Sequence, residues 1–474
     1  MSEPRIVILG GGPAGVGAAF KLREQRRAEV TLIEQSLVVG GNAGSFEAGG
    51  QRLDYGSHRL HPSCEPAILA DIGRLLGTDL LDRPRHGRIR LRGRWIHFPL
   101  KPADLLLRLD PAFGAGVARD MVLKPFRGAT PESATFASVL MANLGPTICN
   151  EFYFPYSRKI WGREPIELSA TQARRRVSAG SFGKLIRKVL AAVPGLKPPG
   201  SGRFFYPQRG FGQISEAYAA EAARLGADLW LGWKVVQLDP PTASRGRWLI
   251  GVEREGQRRE LEADYVWSTI PLTTLAGAMR AEVPAAVTEA ARSIDYRAMI
   301  LIYLELPVSR FTEFDAHYFP GANIRITRLS EPKNYANLSV PADRTTLCAE
   351  LPASPSDAWW TATDAEIGRL VSEDLATAGI PLPANPVSVR TRRLRYAYPV
   401  YLTGYEGPFG VLDQWAESLP RFLSYGRQGL FAHDNTHHAL SMAYSAVECL
   451  ENGTFDADRW RQYRQQFATH VVED

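Results

Sequence analysis

Thirteen residues, Arg5 to Gly17, read RIVILGGGPAGVG and constrain the chain more than any other stretch. An apolar run of β-type residues breaks into glycine. Gly10, Gly12 and Gly15 fall at the spacing G-x-G-x-x-G, with Pro13 and Ala14 between the last two. In a strand–turn–helix unit one glycine makes the tight turn, one lets backbone approach a pyrophosphate, and one lets the helix pack close to the strand. The helix N-terminus then offers unpaired N–H groups and partial positive charge to the phosphates. Gly17, Ala18 and Ala19 lead into a helical pattern, and a second strand, Val30 to Ile33, runs into Glu34 and Gln35. An acid at the end of that strand is the acceptor that a ribose hydroxyl pair wants. Strand, glycines, helix, strand and acid in this order predict a dinucleotide-binding βαβ unit, and with it an α/β fold of Rossmann type.

Two glycine-bearing segments follow, VGGNAGS over 39–45 and RLDYGSHRLHP over 52–62. Backbone without side chains lets a flat ring and two phosphates come close. The run E-x(5)-GGNAGSF followed by D-x-G-x-H resembles the two-domain flavoproteins that include amine oxidases, protoporphyrinogen oxidases and UDP-galactopyranose mutases. The resemblance implies FAD rather than NAD. It also implies that Gly40, Gly41, Asn42 and Ala43 pass beside the FAD pyrophosphate, and that Gly56, Ser57 and His58 lie next to the isoalloxazine ring.

A chain of 474 residues is long enough for two or three structural units, and its 45% hydrophobic and 22% charged content is ordinary for a globular protein. A net charge of +6 without a block of like charges argues against a nucleic-acid partner and is compatible with an anionic small-molecule substrate. The four cysteines (Cys64, Cys149, Cys348, Cys449) are far apart, with no C-x-x-C. No leader pattern and no apolar run of about 18 residues is visible. The expectation is a reduced, cytoplasmic protein.

The order of motifs predicts a discontinuous FAD-binding domain over 1–80, 201–274 and 396–474. An inserted, mostly helical region spans 81–200, and a mainly antiparallel β-sheet substrate domain spans 275–395. Arg88 to Leu100 alternates as a β-hairpin, whereas LLLRL, MVLKPF, FASVLMANLG and GKLIRKVLAAV carry helix-type periods. Their aliphatic stripes read as core, with peripheral contact to a membrane or an isoprenoid substrate as a second reading. Gly226 to Leu238 reads as a strand pair, and in the resemblance the backbone of Val235 holds the adenine. Ala263 to Leu272 reads as a buried strand of the dinucleotide sheet. Asn435 or Thr436 caps a helix whose N–H groups face the N1 and O2 side of a flavin.

The chemistry-bearing residues come from the same resemblance. K-x-W-G-x-x-P-x-E-L (159–168) and the following arginines, of which Arg176 matches best, resemble the mutases, where an arginine here contacts substrate phosphate. TRLSEPK (327–333) and Gly426-Arg427 resemble the mutase segments whose arginines grip a diphosphate over the flavin, which assigns that role to Arg328 and Arg427. Arg328 could instead form a local ion pair with Glu331. The substrate face departs from the mutases: His433 stands where they place a tyrosine, and their G-P-H-x-F-H-T becomes Gly56-Ser57-His58-Arg59-Leu60-His61-Pro62. His58, His61 and His433 are the candidate general bases, with pKa values naturally near neutrality, and Tyr398 is a further candidate in the site. Adjacent His437 and His438 point about 100° apart on a helix, and no H-E-x-x-H occurs, so no metal is expected. The leading reading is an FAD-dependent oxidoreductase that holds a substrate carbon at flavin N5, acting on an anionic or phosphorylated (sugar-nucleotide or prenyl-linked) compound. The alternative is a redox-neutral nucleotide-sugar mutase using reduced FAD as nucleophile, and a third is a non-catalytic flavin-binding protein.

Overall fold

The computed structural model describes residues 3–99, 107–126, 134–176, 202–336 and 338–472. The stretch GKLIRKVLAAV therefore lies outside the described residues. A five-stranded parallel sheet runs in the order Phe422–Ser424, Tyr265–Ser268, β1 (Arg5–Leu9), β2 (Glu29–Glu34) and Asp228–Leu231. The helix α1 (Pro13–Glu24) connects β1 to β2. Its small face receives the helix Thr436–Glu448: a Cβ on Gly17 would lie 2.8 Å from Leu440 Cδ2 and 3.4 Å from Ala443 Cβ. Glycine there sets how closely these two helices approach, and the sheet and both helices share one buried core.

The segment read as a strand pair after Gly226 divides. Asp228–Leu231 completes the parallel sheet, while Lys234–Asp239 turns away to form an antiparallel sheet with Trp248–Arg254 and Gln257–Ala263. Gly232, at φ 79°, makes the bend between them.

The second large sheet has seven strands: Ser388–Val400, Asp295–Leu306, Thr345–Ala353, Arg328–Ser330, Ala316–Tyr318, Gly87–Leu91 and Arg94–Phe98. Its pairings are antiparallel except where Ala316–Tyr318 meets Gly87–Leu91 in parallel. The predicted hairpin is present, and its turn residues Arg92 and Gly93 both have positive φ, the geometry that matches the right-handed twist of the flanking strands. It adds to this sheet rather than to the helices, because Ile89 and Leu91 alternate inward. A domain break between 395 and 396 would cut the continuous strand Ser388–Val400. The helices Pro111–Val122, Phe136–Leu144, Phe154–Trp161 and Ala170–Arg176 pack Phe113, Phe136, Leu140 and Trp161 against Leu91, Ile96 and Val400 of the sheet. Their aliphatic stripes thus form a core. Among the described residues no helix is long and apolar enough to cross a membrane.

His317 lies buried in the second sheet beside Trp95 and Phe314, with the Arg88 guanidinium stacked on both rings. Burial, and then the Arg88 charge, push its pKa from 6.5 down to about 3. Between those values the unfolded chain binds a proton that the folded chain refuses, so stability falls as pH drops through this window. Thermal melts from neutrality to about pH 4 should therefore show a shallower loss of Tm in His317→Leu than in the parent. Equal slopes would assign the acid sensitivity elsewhere.

Candidate active site

The glycine turn is held by backbone and by one acid. Gly10, at φ 101°, donates its N–H to Ile33 O at 2.8 Å, and a Cβ there would sit 2.4 Å from Thr269 Oγ1. Gly15 carries no Cβ because one would lie 1.9 Å from Gly10 O. The nearly buried Glu34 carboxylate accepts Gly11 N–H at 2.7 Å and Ser36 N–H at 2.8 Å, which fixes it at the end of β2. Gly40 donates to Gly11 O at 2.8 Å, sewing the second glycine segment onto the first. A Cβ on Gly41 would lie 3.3 Å from Gly12 Cα, whereas one on Gly12 would meet nothing within 4 Å. Gly41 thus approaches Gly12 closely, and the open side of Gly12 lies on a cavity. Gly426, at φ 76°, brings its turn against the start of α1, where a Cβ would reach 2.8 Å from Ala14 Cβ.

The D-x-G-x-H run is organised from below by Asp54. This buried carboxylate accepts from Ser45 Oγ at 2.6 Å, Tyr206 OH at 2.6 Å and Phe211 N–H at 2.8 Å. Burial nevertheless raises its pKa above the usual carboxylate value. His58 Nε2 lies 2.9 Å from both Asn42 O and Tyr55 O. Carbonyls only accept, so Nε2 carries the proton and Nδ1 is the ring's basic nitrogen. Burial lowers the His58 pKa and Arg328 adds to this, against Asp54 and Glu350. His58 is therefore a neutral link between the segments carrying Asn42 and Tyr55.

A cavity of about 910 Å³ joins these loops to the second sheet and the helices. Gly10, Gly12, Pro13, Ala14, Glu34, Gln35, Gly41, Asn42, Ala43, Ser57 and His58 line one end of it, and Asn435 and Thr436 also lie on its wall. Asn435 is the N-cap of the helix Thr436–Glu448, and its N–H donates to His438 Nδ1 at 3.2 Å. Gly15, Gly40, Gly56 and Gly426 shape this wall without lining it. Val235, paired with Val252, also lies off the cavity.

His61, Arg328, Tyr398, Arg427 and His433 line the same cavity. Arg427 donates to Ala397 O at 2.7 Å and stacks 5.2 Å over the Tyr398 ring. His433 is buried, 4.8 Å from the Tyr401 ring, 5.1 Å from Trp161 and 6.4 Å from Tyr398. His61 Nδ1 accepts Ser63 N–H at 3.1 Å. Arg176 ends the helix Ala170–Arg176, and its side chain lies outside the described residues. Lys159, in the K-x-W-G run, donates to Phe319 O, to Gly321 O at 3.1 Å and to Ile326 O at 2.9 Å, and burial pushes its pKa down to about 7. It ties the helix Phe154–Trp161 to the connection between the strands Ala316–Tyr318 and Arg328–Ser330.

Arg328 does not pair with Glu331. Its Nε and Nη2 reach Glu350 Oε1 and Oε2 at 3.0 and 2.9 Å, because the two residues are direct neighbours across adjacent strands. Glu331 instead accepts from Phe311 N–H, Thr312 N–H and Thr345 Oγ1. Sequence reasoning missed Glu350; its signal was a charge inside the apolar run LCAEL, where a buried acid requires a partner. It also missed Arg59, which binds Asp315 at 3.1 Å and lies between Tyr335 and Phe204. Tyr335, beside it, has its hydroxyl pKa pushed up to about 12 by burial.

A glycine cradle, two helix N-termini and an acid at the end of β2, all on one cavity, define a dinucleotide-type cofactor site. The chain belongs to the flavin-containing amine oxidoreductase family, whose match spans residues 13–447. It is 26% identical over 271 residues to a phytoene dehydrogenase of Streptomyces griseus, covering 49% of each chain. It is 23% identical over 180 residues to a probable UDP-galactopyranose mutase of Klebsiella pneumoniae, covering 37% of this chain and 45% of that one. The chain thus spans less than half the length of either relative. The crystal structure of reduced UDP-galactopyranose mutase matches with a TM-score of 0.80 at 21% identity, over 99% of this chain and 100% of that one. The bare backbones of Gly12 and Gly41 fit a flavin cofactor, since they leave open a space that the protein itself does not fill.

Proposed function

We propose that the protein is an FAD-dependent oxidoreductase whose substrate carries an anionic group. The observation that carries this reading is the single cavity that joins the Gly12–Gly41 cradle to a chamber with Arg427, Arg328 and a wall of rings. Glu34 would hold the ribose, and Gly12, Gly41 and the start of α1 the diphosphate. The N-terminus of the helix Thr436–Glu448 would face the pyrimidine edge of the ring. FAD supplies a two-electron acceptor when bound. The chain supplies position: Trp161, Tyr398 and Phe152 exclude water and hold the substrate's apolar body, while Arg427 takes its anionic end. His58, tied at Nε2, orients the ring-side loop rather than serving as an open base.

A mutase-like reading has one observation in its favour, that Arg328 and Arg427 reach the same cavity. Against it, the Arg328 fork is occupied by Glu350, and buried His433 offers no hydroxyl at the place where the mutases put a tyrosine. The two readings separate anaerobically. Bleaching of oxidised flavin by an anionic substrate supports the oxidoreductase. Isomerised nucleotide-sugar formed only by dithionite-reduced enzyme, without net flavin oxidation, would replace it with the mutase.

Arg427→Ala should lower turnover about 10- to 100-fold, the loss of one charge-assisted contact, with flavin content unchanged. Parallel loss of flavin would move Arg427 to the cofactor.

A further inference from the structure

Asp434, His438 and His470 come together although the outer two are 36 positions apart. Asp434 stands one residue before the N-cap of the helix Thr436–Glu448, and His438 lies in that helix's first turn. His470 belongs to the segment after the helix Ala457–Phe467. Their ligand atoms all lie within 4.8 Å of one another. Asp434 Oδ1 is 3.3 Å from His438 Nδ1 and 3.1 Å from His470 Nδ1. A divalent ion bound tetrahedrally at 2.0–2.2 Å separates its ligand atoms by about 3.3 Å, so these spacings are those of neighbouring ligands.

The hydrogen bonds within this group leave one oxygen of its buried carboxylate unused. Asn435 N–H lies 3.2 Å from His438 Nδ1, a contact that an ion bound to this nitrogen would replace. His470 Nδ1 lies within hydrogen-bond distance of Asp434 Oδ1 at 3.1 Å, and His438 also hydrogen-bonds this carboxylate. Asp434 is buried, with 0% of its side chain exposed, and its Oδ2 has no hydrogen-bond partner among the described residues. A buried carboxylate with one unused oxygen, and the other within reach of two imidazole nitrogens, is a donor set that a cation would complete. Two imidazoles and one carboxylate suit Zn²⁺ and related divalent ions, while Mg²⁺ and Ca²⁺ prefer all-oxygen sites.

We propose that Asp434, His438 and His470 bind one divalent ion of the Zn²⁺ class, which fastens the C-terminal segment to the cavity wall. The segment is placed for this. Val471 and Val472 line the cavity beside Asp434, and Val472 N–H donates to Arg175 O at 2.9 Å. The ion would join the cofactor-side helix to a strap that reaches across to the helical region. The expectation of no metal followed from local spacing, and this cluster is assembled by the fold from separate segments.

The test uses flavin-loaded protein freed of metal by a chelator and titrated with Zn²⁺, read by calorimetry and elemental analysis. One equivalent per chain, slowed hydrogen exchange over 468–472 and a Tm raised by several degrees are expected. His470→Ala, made at a partly exposed position, and His438→Gln should each weaken Zn²⁺ binding at least about 100-fold. Flavin content and circular dichroism report whether each variant is folded. Substoichiometric uptake by the parent protein would overturn the proposal, whatever the variants do. So would parent-like affinity in a folded His470→Ala or His438→Gln variant, or an exchange rate over 468–472 that responds to pH and not to Zn²⁺.

Discussion

Gly12→Val should yield a folded protein that has lost its flavin. Gly12 has φ −71° and ψ 178°, a conformation open to any residue, and its Cβ would meet nothing within 4 Å. The substitution therefore costs the polypeptide little and places three carbon atoms where the cofactor diphosphate would approach backbone. Flavin affinity should drop about 100-fold or more, equivalent to about 2.8 kcal/mol. Circular dichroism and the Tm of the flavin-free form should stay close to those of parent apoprotein. Gly15→Val provides the contrast, because its first added carbon already lies 1.9 Å from Gly10 O. That backbone oxygen cannot yield without parting α1 from β1, so this variant should not give folded protein. Absorbance of purified material at the flavin band, with protein concentration measured separately, distinguishes the cases. Stoichiometric flavin in Gly12→Val would mean that the diphosphate passes elsewhere.

The contrast between these two glycines also marks what the sequence could reveal. Strand, glycine turn, helix, strand and acid act within thirty residues, so their spacing carries their geometry, and Gly10 to Glu34 were legible in full. The hairpin at Arg92-Gly93 was legible for the same reason, but the sheet it joins was not, since its partner Ala316–Tyr318 comes from far along the chain. Lys234–Asp239 was legible as a strand but its sheet was not, because a strand's composition does not name its neighbour; Gly232 turns it towards Trp248–Arg254. Side-chain partners followed the same rule. Glu331 was the local choice for Arg328, and register put Glu350 opposite it instead. Asp434, His438 and His470 were invisible as a group, because only the return of the chain after Phe467 brings the third ring to the other two.

The Arg328–Glu350 pair sets up a second large effect. Both side chains are mostly enclosed, at 16% and 5% exposure, and Glu350 Oε1 also accepts Ser57 N–H at 2.9 Å. Glu350→Ala removes the acceptor from a buried guanidinium and from the backbone N–H of Ser57. Stranding a buried charge in this way costs about 3–5 kcal/mol, and denaturant unfolding should show a loss of that size. The double variant Arg328→Met with Glu350→Met should be less destabilised than Glu350→Ala, because two apolar side chains leave no charge uncompensated. Equal losses would mean that the guanidinium finds water or another acceptor in the cavity. Glu350→Gln asks the functional question, since it keeps the shape and removes the negative charge. Arg328 lines the cavity, so its positive field, now balanced by Glu350, would fall on whatever the cavity holds. The variant should bind inorganic pyrophosphate about 10-fold more tightly than the parent, a gain of about 1.4 kcal/mol. Unchanged pyrophosphate affinity would assign Arg328 to holding Glu350 and Ser57 in place, leaving anion recognition to Arg427.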